Sequence, residues 1–283
     1  MTYLEKAKAA AEYIQSQINQ RADTLVILGS GLGGFVEVLE EAVSIPYGQI
    51  PYFPVSTVAG HSGELMLGKV GEKWIWVMNG RFHYYEGYEL DETVFPVRVL
   101  SLLGVKNLVV SNAAGGLNPD FKVGDLMLIT DHIDKFPSNS LRGKDATDFG
   151  VRFPDMSEPY DLEWRNLAKE KAKSLQINLR EGTYTGVTGP SLETKAEIQY
   201  YRTLGGDAVG MSTVPEVIAA NQMDMKVLGI SVITNECNPT DNKLFAHDDV
   251  VEVATKSGKA MQELVKSILV IEKGDNKQNE FFN

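Results

Sequence analysis

Arg81 and His83 stand two apart in GRFHYYEGY (residues 80–88), with Phe82 between them. In extended chain that spacing turns both polar side chains to one face and the phenylalanine to the other. Arg81 is a permanent planar cation suited to phosphate oxygens. Upstream, GSGLGG (29–34) follows an apolar run and leads into a helical pattern. A glycine turn at a helix start presents unpaired N–H groups, and with the Ser30 hydroxyl it attracts an anion. The chemistry suggested is oxyanion binding at the Ser30 turn and by Arg81, with His83 on the same face as Arg81. Each residue alone also has a plainer reading: a tight turn, a surface ion pair, a satisfied histidine. Gly29, Gly31 and Gly34 satisfy G-x-G-x-x-G as well, the phosphate turn of dinucleotide-binding folds. That reading needs a carboxylate at the end of the next strand, and VSIPYGQI (43–50) has none.

Four further segments place chemistry where strands are expected to end. SNAAGGL (111–117) puts small residues, Ala113, Ala114 and Gly115, where a ligand can approach backbone; close helix packing is the alternative. In TGPSLET (188–194), Thr194 with Glu197 forms a capping-box pattern. Glu193, one residue earlier and next to Leu192, is then free to face a pocket. VGMSTVPE (209–216) contributes Val209, Gly210, Met211 and Ser212, although Met211 can fill core and Ser212 or Thr213 can cap a helix. SVITN (231–235) ends on Asn235.

The elements that must position these residues alternate. Strands are predicted at 24–28, 65–70, 74–78, 107–111, 126–130, 181–187 and 227–234, and helices at about 3–20, 32–41, 91–103, 161–175, 194–204, 213–223 and 248–272. The last has Val250, Ala254, Ser257, Met261, Leu264 and Ile268 at alternating spacings of four and three, the stripe of an amphipathic helix. The alternation predicts an α/β fold with a central mixed, twisted sheet flanked by helices. No linker or repeat divides the chain, so residues 1–283 read as one domain, with about 274–283 a flexible tail. The irregular stretch 135–159 is too long for an ordinary connection; its phenylalanines suggest a lid or an intersubunit contact.

The 27 basic against 38 acidic residues argue against nucleic acid or an anionic membrane as partner, without excluding a small anion in a local pocket. No stretch is long and apolar enough to span a bilayer, and the N-terminus reads as an amphipathic helix rather than a leader. The single cysteine, Cys237, excludes an internal disulfide or a multi-cysteine metal site and fits a reduced, cytoplasmic setting.

Taken together and in order, GSGLG, HSG (61–63), GRFHYYEGY, SNAAGGLNP, RFPDMS (152–157), GPSLET, GMSTVPE, ITNE (233–236) and His247 closely resemble the homotrimeric, 6-oxopurine-preferring purine nucleoside phosphorylases over nearly the whole chain. The resemblance implies phosphorolysis of inosine- and guanosine-type nucleosides and their deoxy forms in purine salvage. Inorganic phosphate is then a co-substrate, with no cofactor and no metal. It implies that Ser30, Arg81, His83, Ser212 and the backbone at Ala113 hold phosphate, with His61 on a covering loop. Tyr85 and Met211 would meet the ribose hydroxyls and His247 the 5′-hydroxyl. Ala114, Gly115, Leu192, Val209 and Gly210 would line the nucleoside site. Phe153 would be donated by a neighbouring subunit, which makes the trimer a functional requirement. Glu193 would accept from the purine N1–H, and Asn235 would donate to N7 and O6 as charge develops on the base.

Two positions depart from the mammalian pattern implied by the resemblance: Leu192 in place of phenylalanine, and Glu236 in place of lysine. Glu236 either points inward, altering base preference, or outward into solvent. Cys237 reads as a buried small residue, not a nucleophile. Methylthioadenosine phosphorylase is the nearest alternative enzyme, but an aspartate is expected there near Asn235, and His247 does not suit its apolar 5′-pocket. A non-catalytic nucleoside-binding protein on the same scaffold is the alternative from another class.

Overall fold

A computed structural model describes residues 1–55, 62–143, 145–240 and 247–270. In chain order the main elements are α1 (Tyr3–Gln17), β1 (Thr24–Ile27), β2 (Glu40–Pro46), β3 (Glu64–Val70), β4 (Lys73–Asn79), α2 (Leu90–Thr93), α3 (Phe95–Leu102), β5 (Asn107–Gly116) and β6 (Leu126–Asp134). There follow α4 (Leu162–Ser174), β7 (Leu179–Gly186), α5 (Lys195–Thr203), β8 (Ala208–Gly210), α6 (Val214–Gln222), β9 (Lys226–Glu236) and α7 (His247–Leu269).

Among the described residues nine strands form one mixed sheet in the order β2-β3-β4-β1-β5-β8-β7-β6-β9, with a further pairing between β5 and β9. That extra pairing closes β5, β8, β7, β6 and β9 into a ring, from which β1, β4, β3 and β2 extend as an open wing. β5 is the hinge of this arrangement. Its first half runs parallel to both β1 and β9, and its last two residues pair antiparallel with β8.

Central strands are buried on both faces, and their side chains alternate between two cores. Leu25 and Ile27 of β1 join the cluster that includes α1, α3 and α6 residues, whereas Val26 and Leu28 join the cluster that includes α4 and α7 residues. Helix α1 starts with a complete Thr2–Glu5 capping box and buries Ala7, Ala10, Ala11 and Ile14. Ala254, Met261, Leu264 and Ile268 of α7 are buried, as the helical spacing predicts. No helix among the described residues is long and apolar enough to cross a membrane.

The predicted helix at 32–41 is a correction. Residues Gly33–Val38 make only a 3-10 helix, and the chain then enters β2. β2 is an edge strand antiparallel to β3, with Ile45 as its one buried residue, so it carries no hydrophobic alternation to read. Its position also disposes of the dinucleotide-binding reading geometrically, because β1 is flanked by β4 and β5, not by the strand that follows it. β8 meets the strand end expected at VGMSTVPE, although no range was predicted for it, because three residues are too few for a periodic signal. The stretch after β6 is anchored by aromatic contacts: Phe149 meets Tyr3 edge-on at 5.7 Å and Phe136 meets Tyr84 at 6.3 Å. The tail expected at 274–283 lies outside the described residues.

Candidate active site

The parallel strands β1, β4, β5 and β9 all end on one side of the sheet, where ligands of open α/β sheets collect. A cleft of about 460 Å³ opens there. It is lined by Gly29 and Ser30 after β1, by Arg81, His83 and Tyr85 after β4, and by Asn112, Ala113, Ala114 and Gly115 on β5. Pro190, Leu192 and Glu193 come from the β7–α5 connection, Val209, Gly210, Met211 and Ser212 from β8 and its exit, and Thr234 and Asn235 from β9. Its size suits a ligand of a few hundred cubic ångströms.

One end of the cleft is cationic and buried. The Arg81 side chain is 1% exposed, and its Nε lies 3.2 Å from Glu216 Oε1, itself buried. Arg81 Nη1 donates to the Ser111 carbonyl at 2.8 Å and to Ser212 Oγ at 2.9 Å, with Thr213 Oγ1 at 3.3 Å. His83 is also buried, and its Nδ1 donates to Glu86 Oε1 at 2.9 Å. Burial holds the His83 pKa below the ordinary histidine value, opposed by the Glu86 carboxylate, so the ring is neutral at neutral pH with its proton on Nδ1. Phe82 points the other way, into the core, as the period of two requires.

At the other end the groups are amide and carboxylate. Pairing between β5 and β9 slips at one point: Ala114 faces Ile233 but Gly115 faces Asn235, so Thr234 is an extra, bulged residue. Such a bulge re-aims the side chains beside it, and both Thr234 and Asn235 line the cleft. Thr234 Oγ1 donates to Asn235 Oδ1 at 3.1 Å, and Asn235 Nδ2 lies 3.5 Å from Cys237 Sγ. A Cβ on Gly115 would sit 2.5 Å from Cys237 Sγ and 3.1 Å from Asn235 Nδ2, so a side chain there would displace the amide. Glu193 immediately precedes the observed Thr194–Glu197 capping box. Burial raises its carboxyl pKa above the usual range. Burial also pushes the Cys237 thiol up to about 12, which leaves it an inert packing group.

The cleft thus gathers Ser30, Arg81, His83, Tyr85, Ala113, Ala114, Gly115, Leu192, Glu193, Val209, Gly210, Met211, Ser212 and Asn235. His61 lies outside the described residues, as does the side chain of His247, whose backbone opens α7. Phe153 does not line the cleft; it is 88% exposed. Glu236 is exposed and faces Lys122 at 3.5 Å, which is the outward alternative. Asn112, Glu216 and Tyr184, whose hydroxyl accepts from the Ser212 N–H at 3.4 Å, carried no role in the sequence, and Thr213 was offered there only as a possible helix cap. Only Glu216 left a signal, an acid set in the apolar run VPEVIAA.

Residues 23–270 match the phosphorylase superfamily. The chain is 49% identical over 265 residues to purine nucleoside phosphorylase 1 of Bacillus subtilis (strain 168), covering 94% of this chain and 98% of that one. It is 45% identical over 273 residues to purine nucleoside phosphorylase of Bos taurus, with 94% of each chain covered. The chain belongs to the purine nucleoside phosphorylase family. Among solved structures, isoform 2 of the Schistosoma mansoni phosphorylase in complex with cytosine and ribose-1-phosphate superposes with a TM-score of 0.91 at 42% identity, over 97% of this chain and 99% of that one. A Schistosoma mansoni purine nucleoside phosphorylase in complex with adenosine gives 0.89 at 37% identity, over 95% and 98%.

Proposed function

We propose that the chain catalyses reversible phosphorolysis of inosine- and guanosine-type nucleosides and their 2′-deoxy forms, yielding free base and (deoxy)ribose 1-phosphate. One observation carries this reading: a single cleft joins the buried Arg81–Ser212 end to the Asn235–Glu193 end. Phosphate at the first end, with Ser30, Arg81, His83, Ser212 and the Ala113 backbone around it, lies beneath C1′. The C1′–N9 bond breaks as a phosphate oxygen bonds to C1′; the electron pair leaves with the base, which then takes up a proton. The phosphate acts both as nucleophile and as the negative charge facing an oxocarbenium-like sugar, so the protein contributes position and electrostatics. The neutral His83 ring, with Nδ1–H committed to Glu86, offers Nε2 as acceptor for the remaining phosphate O–H. Tyr85 and Met211 flank the ribose. Asn235 donates to N7 and O6 more strongly as the base becomes anionic. Inorganic phosphate is the second substrate, and the scheme as written uses no metal or cofactor.

Ionised Glu193 accepts from the N1–H of a 6-oxopurine. Adenosine presents a lone pair at N1 instead, a mismatch of a few kcal/mol and so about a hundredfold. The adenosine complex of the schistosome relative makes this arm of the test informative. Base release from inosine, guanosine, adenosine and methylthioadenosine, with and without phosphate, decides the function. Phosphate-dependent release from inosine and guanosine is expected; release without phosphate, or a preference for methylthioadenosine, refutes it.

The exposed ring of Phe153 supports a homotrimer in which each subunit completes its neighbour's site, with His61 and His247 closing the phosphate and 5′-hydroxyl sides. Mixing inactive Phe153→Ala and His247→Ala proteins then restores part of the activity after subunit exchange. Mixed trimers without activity would exclude the shared site.

A further inference from the structure

Thr213 stands at the head of α6, where a helix cap is expected, yet its side chain makes no capping bond. Its backbone lies at φ 74° and ψ −53°. The Val214 N–H donates to the Ser212 carbonyl at 2.8 Å, closing a γ-turn around Thr213. This is a strained conformation, least expected of a β-branched residue. Such strain persists only where neighbours hold it. Here Asn112 Nδ2 donates to Thr213 Oγ1 at 2.8 Å, Arg81 Nη1 lies 3.3 Å away, and Ser212 Oγ is at 3.1 Å. Asn112, Arg81, Ser212 and Thr213 are all buried.

Counting protons gives this cluster a direction. A hydroxyl has one proton and two lone pairs. Thr213 Oγ1 meets Asn112 Nδ2, Arg81 Nη1 and Ser212 Oγ; the two nitrogens can only donate, so Ser212 Oγ is the one acceptor among these contacts for the Thr213 proton. Ser212 Oγ also accepts from Arg81 Nη1 at 2.9 Å. With both lone pairs taken, Ser212 has only its O–H left to offer, and Ser212 lines the cleft.

We propose that Thr213 is a positioning residue: its strained turn sets its hydroxyl beside that of Ser212, fills the acceptor side of Ser212, and so commits Ser212 as a hydrogen-bond donor to the bound anion. The inference rests on reading this end of the cleft as the phosphate site.

Thr213→Val keeps the shape and removes the hydroxyl. Its KM for phosphate is expected to rise about tenfold, the loss of one charge-assisted hydrogen bond, while the KM for inosine moves less than about twofold. Thr213→Ser restores phosphate KM to within about threefold, since the hydroxyl returns. Thr213→Gly accepts the positive φ without strain and also lacks the hydroxyl; it decides the matter if the valine protein does not fold. The rise in Tm on adding phosphate alone, smaller in both variants, gives a readout free of nucleoside. An unchanged phosphate KM, an equal rise for inosine, or a serine variant as impaired as the valine one overturns the proposal. Ser212→Ala separates the two layers. If it raises phosphate KM and Thr213→Val does not, the turn has no such role and the phosphate reading stands. If Ser212→Ala leaves phosphate KM unchanged, the reading of this end fails instead.

Discussion

The two ends of the cleft are built on opposite principles. At the cationic end Arg81 is 1% exposed and Ser212, His83 and Glu216 are buried, each held by named partners. At the amide end Leu192 is 53% exposed, Asn235 and Glu193 are half-buried, and among the described residues Asn235 is held by a neighbouring threonine and a sulfur. An anion loses strong hydration on entering and must meet charge already in place, because donors that have to reorganise stabilise it less. A heterocycle brings apolar area and directional edges, and it tolerates a looser frame. On the proposed function, binding of the common co-substrate falls to the rigid half and discrimination among bases to the adjustable half.

The comparison predicts its largest effect at Arg81. Arg81→Met removes the cation and leaves Glu216 buried without its partner, at a cost of about 3–5 kcal/mol in stability. Phosphorolysis should fall about a thousandfold or more in kcat/KM, and Tm should drop. Adding Glu216→Leu should recover Tm without recovering activity. Recovered activity in the double variant would show that Arg81 served stability only.

Asn235 comes next. Because its contact strengthens at the transition state, Asn235→Ala should lower kcat about a hundredfold while KM for inosine changes little. Equal losses in binding and turnover would make Asn235 an ordinary contact and weaken the distinction between the two ends.

The mildest effects belong to Glu193. Burial raises its pKa, so it takes up a proton at a less acid pH than an ordinary carboxyl would. Inosine turnover should then decline on the acid side above the usual carboxylate range, and Glu193→Gln should abolish that limb. The same shift has a stability sign: the folded state holds the proton more tightly than the unfolded chain, so stability present at low pH is lost as pH rises through the raised pKa. Glu193→Gln should therefore slightly raise Tm at neutral pH while impairing inosine use. A lowered Tm, or an unchanged acid limb, would remove the strained carboxylate from the account.

Much of the site was legible along the chain because local rules reach that far. The period of two put Arg81 and His83 on one face and Phe82 on the other, and in the structure the first face is the cleft and the second the core. The Thr194–Glu197 pattern placed the start of α5 and left Glu193 at its mouth. Glycine at 115 reads only as a small residue, although what demands it is Cys237 Sγ and Asn235 Nδ2, more than a hundred residues away. The edge strand β2 was missed because it buries almost nothing, and Thr213 was legible only as one of two possible caps because its partners come from β5 and from beyond β4.

By itself the sequence determined the alternation of strands and helices, the strand ends where small and polar residues gather, and the residue types that line the cleft. These follow from periodicity and side-chain chemistry, which act between near neighbours. The tertiary structure decided the closure of five strands into a ring, the bulge at Thr234 that aims Asn235, the burial of Arg81 against Glu216, and the turn at Thr213. Each depends on pairing or packing between segments distant in sequence, and the free energy of such contacts is set by geometry that no local pattern encodes.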